Sequence, residues 1–235
     1  MKQRLQSILI QISGAITFLF VGLITFLFSF ISLKITYKLA NYACRLFLLS
    51  MGVRLQINGK FPDKGVYIIM FNHSSFIDPF LLPVFTKGKY TGVVAQENLD
   101  IFLFGWILKR FKCIPIDRQN TVSAINNISK AGSVIKRGYH IGILPEGTRS
   151  LTGKMKPFKK GGFYMAMNTK TPILPVGIIG AYDFKPKNRN TIKPGIVKIT
   201  IGEPIYPKAN NKLELEKLLK QTEDAIKRLC YNSRN

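Results

Sequence analysis

Cysteine is scarce in this chain, and the cysteines present are scattered. The 235 residues include three, Cys44, Cys113 and Cys230, and none forms a CxxC pair. An odd number of widely separated cysteines argues against a disulfide framework and against a zinc site. The simplest interpretation is a domain that works in a reducing, cytoplasmic compartment. We therefore expect no metal and no bound cofactor.

Acidic residues are also few. Asp and Glu number 12 against 35 Lys and Arg, which gives a formal net charge of +23 at pH 7. Such an excess of positive charge suits nucleic acid, anionic lipid or a phosphorylated substrate. The chain has no recognisable helix-turn-helix, zinc-finger or RNP signature. This absence disfavours nucleic acid as the partner, although a non-catalytic nucleic-acid-binding protein stays as an alternative.

Charge of either sign is missing from the N-terminal region. No charged residue occurs between Arg4 and Lys34. A helix made of this run would be about 43 Å long, whereas the hydrocarbon core of a bilayer is about 30 Å thick. The run is too long for the apolar part of a signal peptide. We predict a membrane-anchoring helical segment over residues 1–53 and a catalytic domain over residues 54–235.

Two properties of the predicted anchor stay open. Positive charges flank both ends of the apolar run, so spanning the bilayer and entering one leaflet are both compatible with it. Residues 35–53 form an amphipathic pattern that predicts either a helix along the lipid headgroups or a helix packed against the core. The apolar face of this pattern consists of Leu39, Tyr42, Leu46 and Leu49.

Short apolar stretches alternate with helical patterns after the anchor. This alternation predicts one α/β domain with a mixed, mostly parallel sheet flanked by helices. Several predicted strands are almost wholly apolar, as strands covered on both faces are. Helices are predicted at 121–137 and 212–229, the second with Asn211 as its cap. Strands are predicted at 66–71, 90–94, 112–116, 141–144, 173–179 and 197–201.

A histidine and an aspartate follow the first of these strands. His73 is one of two histidines, and Asp78 lies five residues further on. Histidine readily takes a proton near neutral pH, and a carboxylate on its other ring nitrogen stabilises the charged ring. Five helical residues rotate through about 500°, which would point the two side chains apart. We therefore predict a turn at Ser74 and Ser75, then a helix with Asp78 as N-cap and Pro79 first. The alternatives are a simple helix cap and a structural histidine.

Polar blocks follow two further strands. Arg118 closes one strand, at the kind of position where open α/β sheets bind ligands, and its guanidinium suits a phosphate. Glu146 opens the second block and is predicted to stay ionised, accepting from a substrate hydroxyl or holding an arginine. A surface ion pair and a polar turn are the alternatives. The remaining residues of the second block are Gly147, Thr148 and Arg149.

Two other segments carry weaker signals. Residues 171–176 form an apolar strand entered between two prolines, which we interpret as a pocket wall. A run of lysines occurs between this strand and the second polar block. These lysines are predicted to form a solvated charge run, with contact to phosphate as the alternative. They are Lys154, Lys156, Lys159 and Lys160.

In this order and spacing, four motifs resemble the glycerolipid acyltransferase family. They are Asn-His-x4-Asp at 72–78, Ile-Pro-Ile-Asp-Arg at 114–118, Pro-Glu-Gly-Thr-Arg-Ser at 145–150 and Pro-Ile-Leu-Pro-Val at 172–176. The similarity covers about residues 56–204. It implies transfer of an acyl chain from acyl-CoA or acyl-carrier protein to the sn-2 hydroxyl of lysophosphatidic acid, giving phosphatidic acid. It also implies an inner-membrane enzyme whose catalytic domain faces the cytoplasm.

The resemblance assigns roles to the residues identified above. His73 is implied as the general base and Asp78 as its partner. The residues implied to hold the phosphate and glycerol of the acceptor are Arg118, Glu146, Gly147, Thr148 and Arg149. No G-x-S-x-G nucleophile elbow occurs, which favours direct transfer over an acyl-serine route and argues against a serine-type lipid hydrolase.

One position departs from the family pattern. Members often have Ala-Lys-x-Glu-Leu where this chain has Ala-Gln-Glu-Asn-Leu at 95–99. Gln96 thus replaces a lysine that is a candidate phosphate contact. A lysolipid with a less anionic headgroup is therefore an admissible alternative acceptor. An inactive member that acts as a membrane scaffold is a further alternative, although His73 and Asp78 are intact.

Overall fold

A seven-stranded sheet forms the centre of the computed structural model, which describes residues 2–102, 104–116 and 122–232, without the side chains of 122–128 and 232. Its order is β1-β7-β6-β2-β5-β3-β4, and all neighbouring strands are parallel except β6 and β7. The predicted mixed, mostly parallel sheet is confirmed. The strands are β1 Val53–Asn58, β2 Ile68–Phe71, β3 Lys89–Ala95, β4 Ile114–Ile116, β5 Tyr139–Ile143, β6 Ile173–Ile179 and β7 Gly195–Ile201.

Helices cover both faces of this sheet. They are α1 Lys2–Phe28, α2 Leu33–Ser50, α3 Asp78–Phe85, α4 Phe104–Arg110, α5 Val122–Lys136, α6 Gly161–Thr169, α7 Ala181–Phe184 and α8 Lys212–Asn232, with a 3₁₀ turn at Gln96–Asp100. Successive residues of a strand face opposite sides, so β2 supplies two cores. Ile69 and Phe71 pack with α2 and α3, whereas Ile68 and Met70 pack with α6 and α8.

The helix α1 lies against the rest of the protein along its length. Phe18 packs edge-on against Phe47 and Phe80, with ring centroids 5.7 and 5.8 Å apart. Near the start of α1, the Ser7 hydroxyl accepts a hydrogen bond of 2.8 Å from the Ile192 N–H. The opposite face of α1 is exposed and apolar. Among the described residues, α1 is the one helix that is long and apolar enough to cross a membrane, judged by length and composition.

The helix α2 has two apolar faces rather than one. The predicted apolar face is largely exposed, because Tyr42, Leu46 and Leu49 point away from the core. A different set packs into the core, and it includes Phe47 and Leu48. Both alternatives for this segment are therefore partly correct: one face packs against the domain, and another remains apolar and uncovered.

The sequence missed several elements. The amphipathic pattern was extended to residue 53, but α2 ends at Ser50 and β1 starts at Val53 after a turn in which Gly52 has φ +79°. The short helices α4, α6 and α7 were not predicted. For α8 the predicted cap is confirmed, because the Asn211 Oδ1 accepts a 2.8 Å bond from the Glu214 N–H. The division into an anchor and a domain at residues 53/54 stays a prediction.

Candidate active site

The first motif and the second polar block meet because their strands are neighbours. The strands β2 and β5 run parallel side by side, so their carboxyl ends lie at the same edge of the sheet. His73 follows the end of β2 by two residues, and Glu146 follows the end of β5 by three. This edge is where parallel α/β sheets usually bind their ligands.

His73 and Asp78 form a hydrogen-bonded pair. The distance from His73 Nδ1 to Asp78 Oδ2 is 2.8 Å. The same oxygen also accepts bonds from the N–H groups of Ser74 and Ser75, at 2.7 and 2.8 Å. The aspartate side chain is fully buried, and that of the histidine is 16% exposed. A carboxylate on Nδ1 favours the tautomer with the proton there, which leaves Nε2 as the basic nitrogen.

The predicted turn is present, but the predicted N-cap is wrong by one residue. The chain turns at 75–77, and Ile77 is the N-cap of α3, while Asp78 is its first residue and Pro79 follows. The Asp78 carboxylate therefore closes the preceding turn instead of capping the N–H groups of the helix. This arrangement brings the carboxylate back toward the histidine ring, which a helix-capping role would not do.

Glu146 connects the two motifs through the backbone. Its Oε1 accepts from the His73 N–H at 2.7 Å, and its Oε2 accepts from the Lys156 N–H at 2.9 Å. A backbone bond of 2.8 Å from the Ser150 N–H to the His73 carbonyl reinforces the connection. Burial raises the pKa of Glu146, while its two N–H donors act in the opposite direction. Oε1 thus positions the backbone of His73 and Oε2 that of Lys156, and no bond to Arg149 occurs, while the contact to a substrate hydroxyl stays a prediction.

The rest of the second block is organised around lysines. Gly147 has φ +72°, a conformation that favours glycine. The hydroxyl of Thr148 accepts a 3.0 Å bond from Lys156 Nζ, which also donates to the carbonyl of Arg149 at 3.1 Å. Burial and then the neighbouring charge of Arg149 lower the pKa of Lys185, so further positive charge lies beside this block. Arg118 falls outside the described residues.

An apolar cavity of about 550 Å³ opens beside His73. Helices α1, α2, α3 and α4 and strand β3 wall it, and side chains on it include Phe18, Val21, Ala40, Phe47, Phe80 and Ile107. Thr91, at its far end, pairs with Ile141, which in turn pairs with Ile68. His73 lies five residues beyond Ile68, and the first three of these steps belong to β2 and span about 10 Å. The cavity therefore has the lining and depth to hold an alkyl chain with one end at the imidazole.

Sequence reasoning missed one supporting residue and misplaced one segment. Asn72 is buried, and its side chain bonds both the N–H and the carbonyl of Ile178 at 2.8 Å, which ties the end of β2 to β6. Only its polarity at the end of a buried strand could have signalled this role. The segment 171–176 was interpreted as a pocket wall, but it enters the central strand β6, and its residues do not line the cavity.

Metal-binding and disulfide chemistry find no support among the described residues. No group of three or more His, Cys, Asp or Glu side chains gathers to hold a metal ion in this part of the chain. The three cysteines, all of which lie in the described part of the chain, are not joined by disulfide bonds.

Comparison with known proteins identifies the family. A family model described as Acyltransferase matches residues 52–179. The 1-acyl-sn-glycerol-3-phosphate acyltransferase of Cocos nucifera is 32% identical over 163 residues, which are 68% of this chain and 53% of that protein. The enzyme of the same name from Pseudomonas aeruginosa is 30% identical over 175 residues, 73% of this chain and 67% of that protein. The chain belongs to the acyltransferase family, which confirms the resemblance drawn from its motifs.

A solved structure resembles the whole chain. The 1-acyl-sn-glycerophosphate (LPA) acyltransferase PlsC from Thermotoga maritima superposes with a TM-score of 0.83 at 25% identity, covering 99% of this chain and 98% of that one. The matched region spans about half the length of the first curated relatives. The likeness extends over α1 and α2, and the exposed apolar α1 gives the protein a surface for membrane association.

Proposed function

We propose that this protein is a 1-acylglycerol-3-phosphate O-acyltransferase of phospholipid biosynthesis. It transfers an acyl chain from acyl-CoA or acyl-carrier protein to the sn-2 hydroxyl of lysophosphatidic acid and releases phosphatidic acid. The observation that carries this proposal is the His73–Asp78 pair beside an apolar cavity, in a chain of the acyltransferase family.

His73 acts as the general base of a direct transfer. Its Nε2 takes the proton of the sn-2 hydroxyl while that oxygen bonds to the thioester carbonyl carbon. The tetrahedral intermediate then breaks its C–S bond, and the imidazolium returns the proton to the departing thiolate. Asp78 stabilises the imidazolium between these steps through its 2.8 Å contact. General-base catalysis of this kind contributes about 10²–10⁴ in rate, so positioning supplies much of the remainder.

The second polar block holds the acceptor. Thr148 and Arg149 are the proposed contacts to its phosphate and glycerol, together with Arg118. Gly147 permits a close approach of the backbone to the lipid. Glu146 acts indirectly, because its carboxylate fixes the backbone of His73. The reaction needs the two substrates and no metal or cofactor.

The protein is proposed to sit on the inner membrane with its catalytic domain facing the cytoplasm. Because α1 packs against the domain from Ser7 to Ser29, an orientation in which α1 spans a bilayer would bring the packed parts of the domain into the membrane as well. We therefore favour insertion into one leaflet over spanning. The apolar side chains exposed for this contact include Leu9, Ile16, Phe20, Leu23, Leu46, Leu49, Phe102 and Trp106.

An acyl-transfer assay of the purified protein in detergent micelles tests this function. Lysophosphatidic acid and lysolipids with other headgroups are each offered with acyl-CoA and with acyl-carrier protein. We expect phosphatidic acid from the wild type and none above background from His73→Ala. Near-normal transfer by His73→Ala would refute the assigned base. Free fatty acid formed without any acceptor would indicate a hydrolase instead.

A different lysolipid acceptor is the second candidate. The observation that favours it is Gln96, which is exposed at the same edge of the sheet as His73 and stands where the motif resemblance implies a lysine. A faster reaction with a zwitterionic or uncharged lysolipid than with lysophosphatidic acid would support this candidate.

A further inference from the structure

Lys159 differs from the other lysines of its run because it lines the cavity beside His73. The cavity beside His73 is lined by apolar and neutral side chains, apart from His73 itself and Lys159. No other lysine or arginine of the described residues lines it. A lysine at the edge of an otherwise apolar cavity would attract a negatively charged group of a ligand that enters the cavity.

Two contacts show how Lys159 lies across the second polar block. Its backbone N–H donates to the Pro145 carbonyl at 2.8 Å, which fixes the lysine beside the second polar block. Its side chain then crosses Gly147, where an added Cβ would lie 2.9 Å from the lysine Cε and 3.2 Å from Nζ. Glycine at 147 thus leaves room for this ammonium group as well as allowing the positive φ.

The ammonium group of Lys159 lacks a protein partner in the described part of the chain. Lys156, by contrast, donates to the Thr148 hydroxyl and the Arg149 carbonyl. The nearest carboxylate of the motif, Glu146, has both oxygens bound to backbone N–H groups. Lys160 is similarly exposed but does not line the cavity. Lys159 therefore offers a charge that the protein does not neutralise.

We propose that Lys159 binds the phosphate of the lysolipid acceptor. This inference rests on the proposed function. In lysophosphatidic acid the phosphorus lies about 5 Å or less from the sn-2 oxygen, given ordinary bond lengths. An acceptor whose hydroxyl reaches His73 thus brings its phosphate to the mouth of this cavity. The phosphates of acyl-CoA and of acyl-carrier protein lie many bonds from the thioester, and so further from His73.

The exposed Gln96 lies at the same edge of the sheet as Lys159. Gln96 directly follows β3, and Lys159 is fixed to the residues that follow β5. The strands β3 and β5 are parallel neighbours, so both positions lie at the edge that carries His73. A lysine at position 96 would therefore stand at the edge of the sheet that carries His73.

Steady-state kinetics of Lys159→Met, with Lys160→Met as the matched control, tests the inference. The acceptors are lysophosphatidic acid and a monoacylglycerol with the same chain, which lacks the phosphate. For Lys159→Met we expect the KM for lysophosphatidic acid to rise about tenfold, as for the loss of one charge-assisted hydrogen bond. The kcat, the KM for the acyl donor and the rate with monoacylglycerol stay near those of the wild type. Lys160→Met resembles the wild type.

Two further variants sharpen the test. Lys159→Arg retains the charge and should keep most of the affinity. Adding Gln96→Lys to Lys159→Met should restore part of the lost affinity for lysophosphatidic acid. Equal kinetics of Lys159→Met and Lys160→Met would overturn the inference and leave the proposed function intact. A loss confined to the donor KM, or a kcat loss shared by both acceptors, would also overturn it. Absence of transfer to lysophosphatidic acid by the wild type would instead refute the proposed function.

Discussion

The replacement Asp78→Asn isolates the charge of the aspartate from its shape. Oδ2 of Asp78 accepts three hydrogen bonds, from the His73 ring and from the N–H groups of Ser74 and Ser75. An amide oxygen can accept the same three. The other carboxylate oxygen is buried and has no partner among the described residues, so the amide NH₂ would occupy its place. The variant thus keeps the geometry of the turn and loses the negative charge beside the imidazole.

Two effects of Asp78→Asn are expected, and they can be measured separately. The imidazolium loses its counter-charge, so kcat should fall by about 10²–10⁴, the contribution of a general base. The buried NH₂ group without an acceptor should lower the free energy of unfolding by about 1–3 kcal/mol. Acyl transfer at saturating lysophosphatidic acid measures the first effect, and urea unfolding followed by circular dichroism measures the second.

A surface aspartate provides the control. Asp63 pairs with Lys87 at 2.6 Å, but its side chain is 85% exposed, so Asp63→Asn should change neither quantity appreciably. The reasoning is refuted if Asp78→Asn is folded at the assay temperature and keeps kcat within tenfold of the wild type. In that case the carboxylate would serve the turn and not the proton transfer.

Three other predictions concern stability and chain selection. Burial lowers the pKa of His140 to about 4, whereas the pKa of a histidine in the unfolded chain is about 6.5. Because the unfolded chain takes up a proton at this residue before the folded protein does, the free energy of unfolding should fall by about 3 kcal/mol as the pH falls from 6.5 to 4. Urea unfolding of the wild type should show this loss and His140→Asn should show a smaller one, whereas equal pH dependence would contradict the assignment. Asn72→Ala leaves the buried N–H of Ile178 without an acceptor, while the Ile178 carbonyl keeps a weak 3.8 Å contact from Cys230 Sγ, and should lower the free energy of unfolding by about 1–3 kcal/mol; an unchanged urea midpoint would argue against a stabilising role of the Asn72 bonds. Ala40→Leu narrows the cavity and should shift the preferred acyl-CoA toward shorter chains in a competition assay, and an unchanged preference would place the chain elsewhere.

The sequence predicted those parts of the fold that depend on local pattern. The strand predicted at 173–179 has the same first and last residues as β6, because the run of apolar residues that marks it lies between two turns. The Asn211 cap was found from a side chain three residues before its N–H partner. The His73–Asp78 pair was also accessible, since a continuous helix over five residues would point the two side chains apart and a turn was therefore predicted.

The parts that escaped prediction depend on contacts between distant segments. Strand β1 is defined by pairing with β7, more than a hundred residues away, and its own six residues carry a weak pattern. The bond from the His73 N–H to Glu146 was not predicted, because only the neighbouring positions of β2 and β5 reveal it. Lys159 looked like part of a solvated run, because its place at the cavity depends on the bare backbone of Gly147.

The docking of α1 ties attachment and chemistry together. Phe18 and Val21 belong to the cavity wall, so under the proposed function the helix that contacts lipid would also cover the acyl chain during the reaction. Removal of α1 to obtain a freely soluble fragment would expose the rings of Phe47 and Phe80 and open the cavity to water. We expect the shortened chain to bind the acyl chain of the proposed substrate poorly, even though every residue of the proposed catalytic site is present. Under the proposed function, the preference for acyl-chain length and the association with the membrane therefore both depend on α1, and a substitution on the packed face of α1 should alter both.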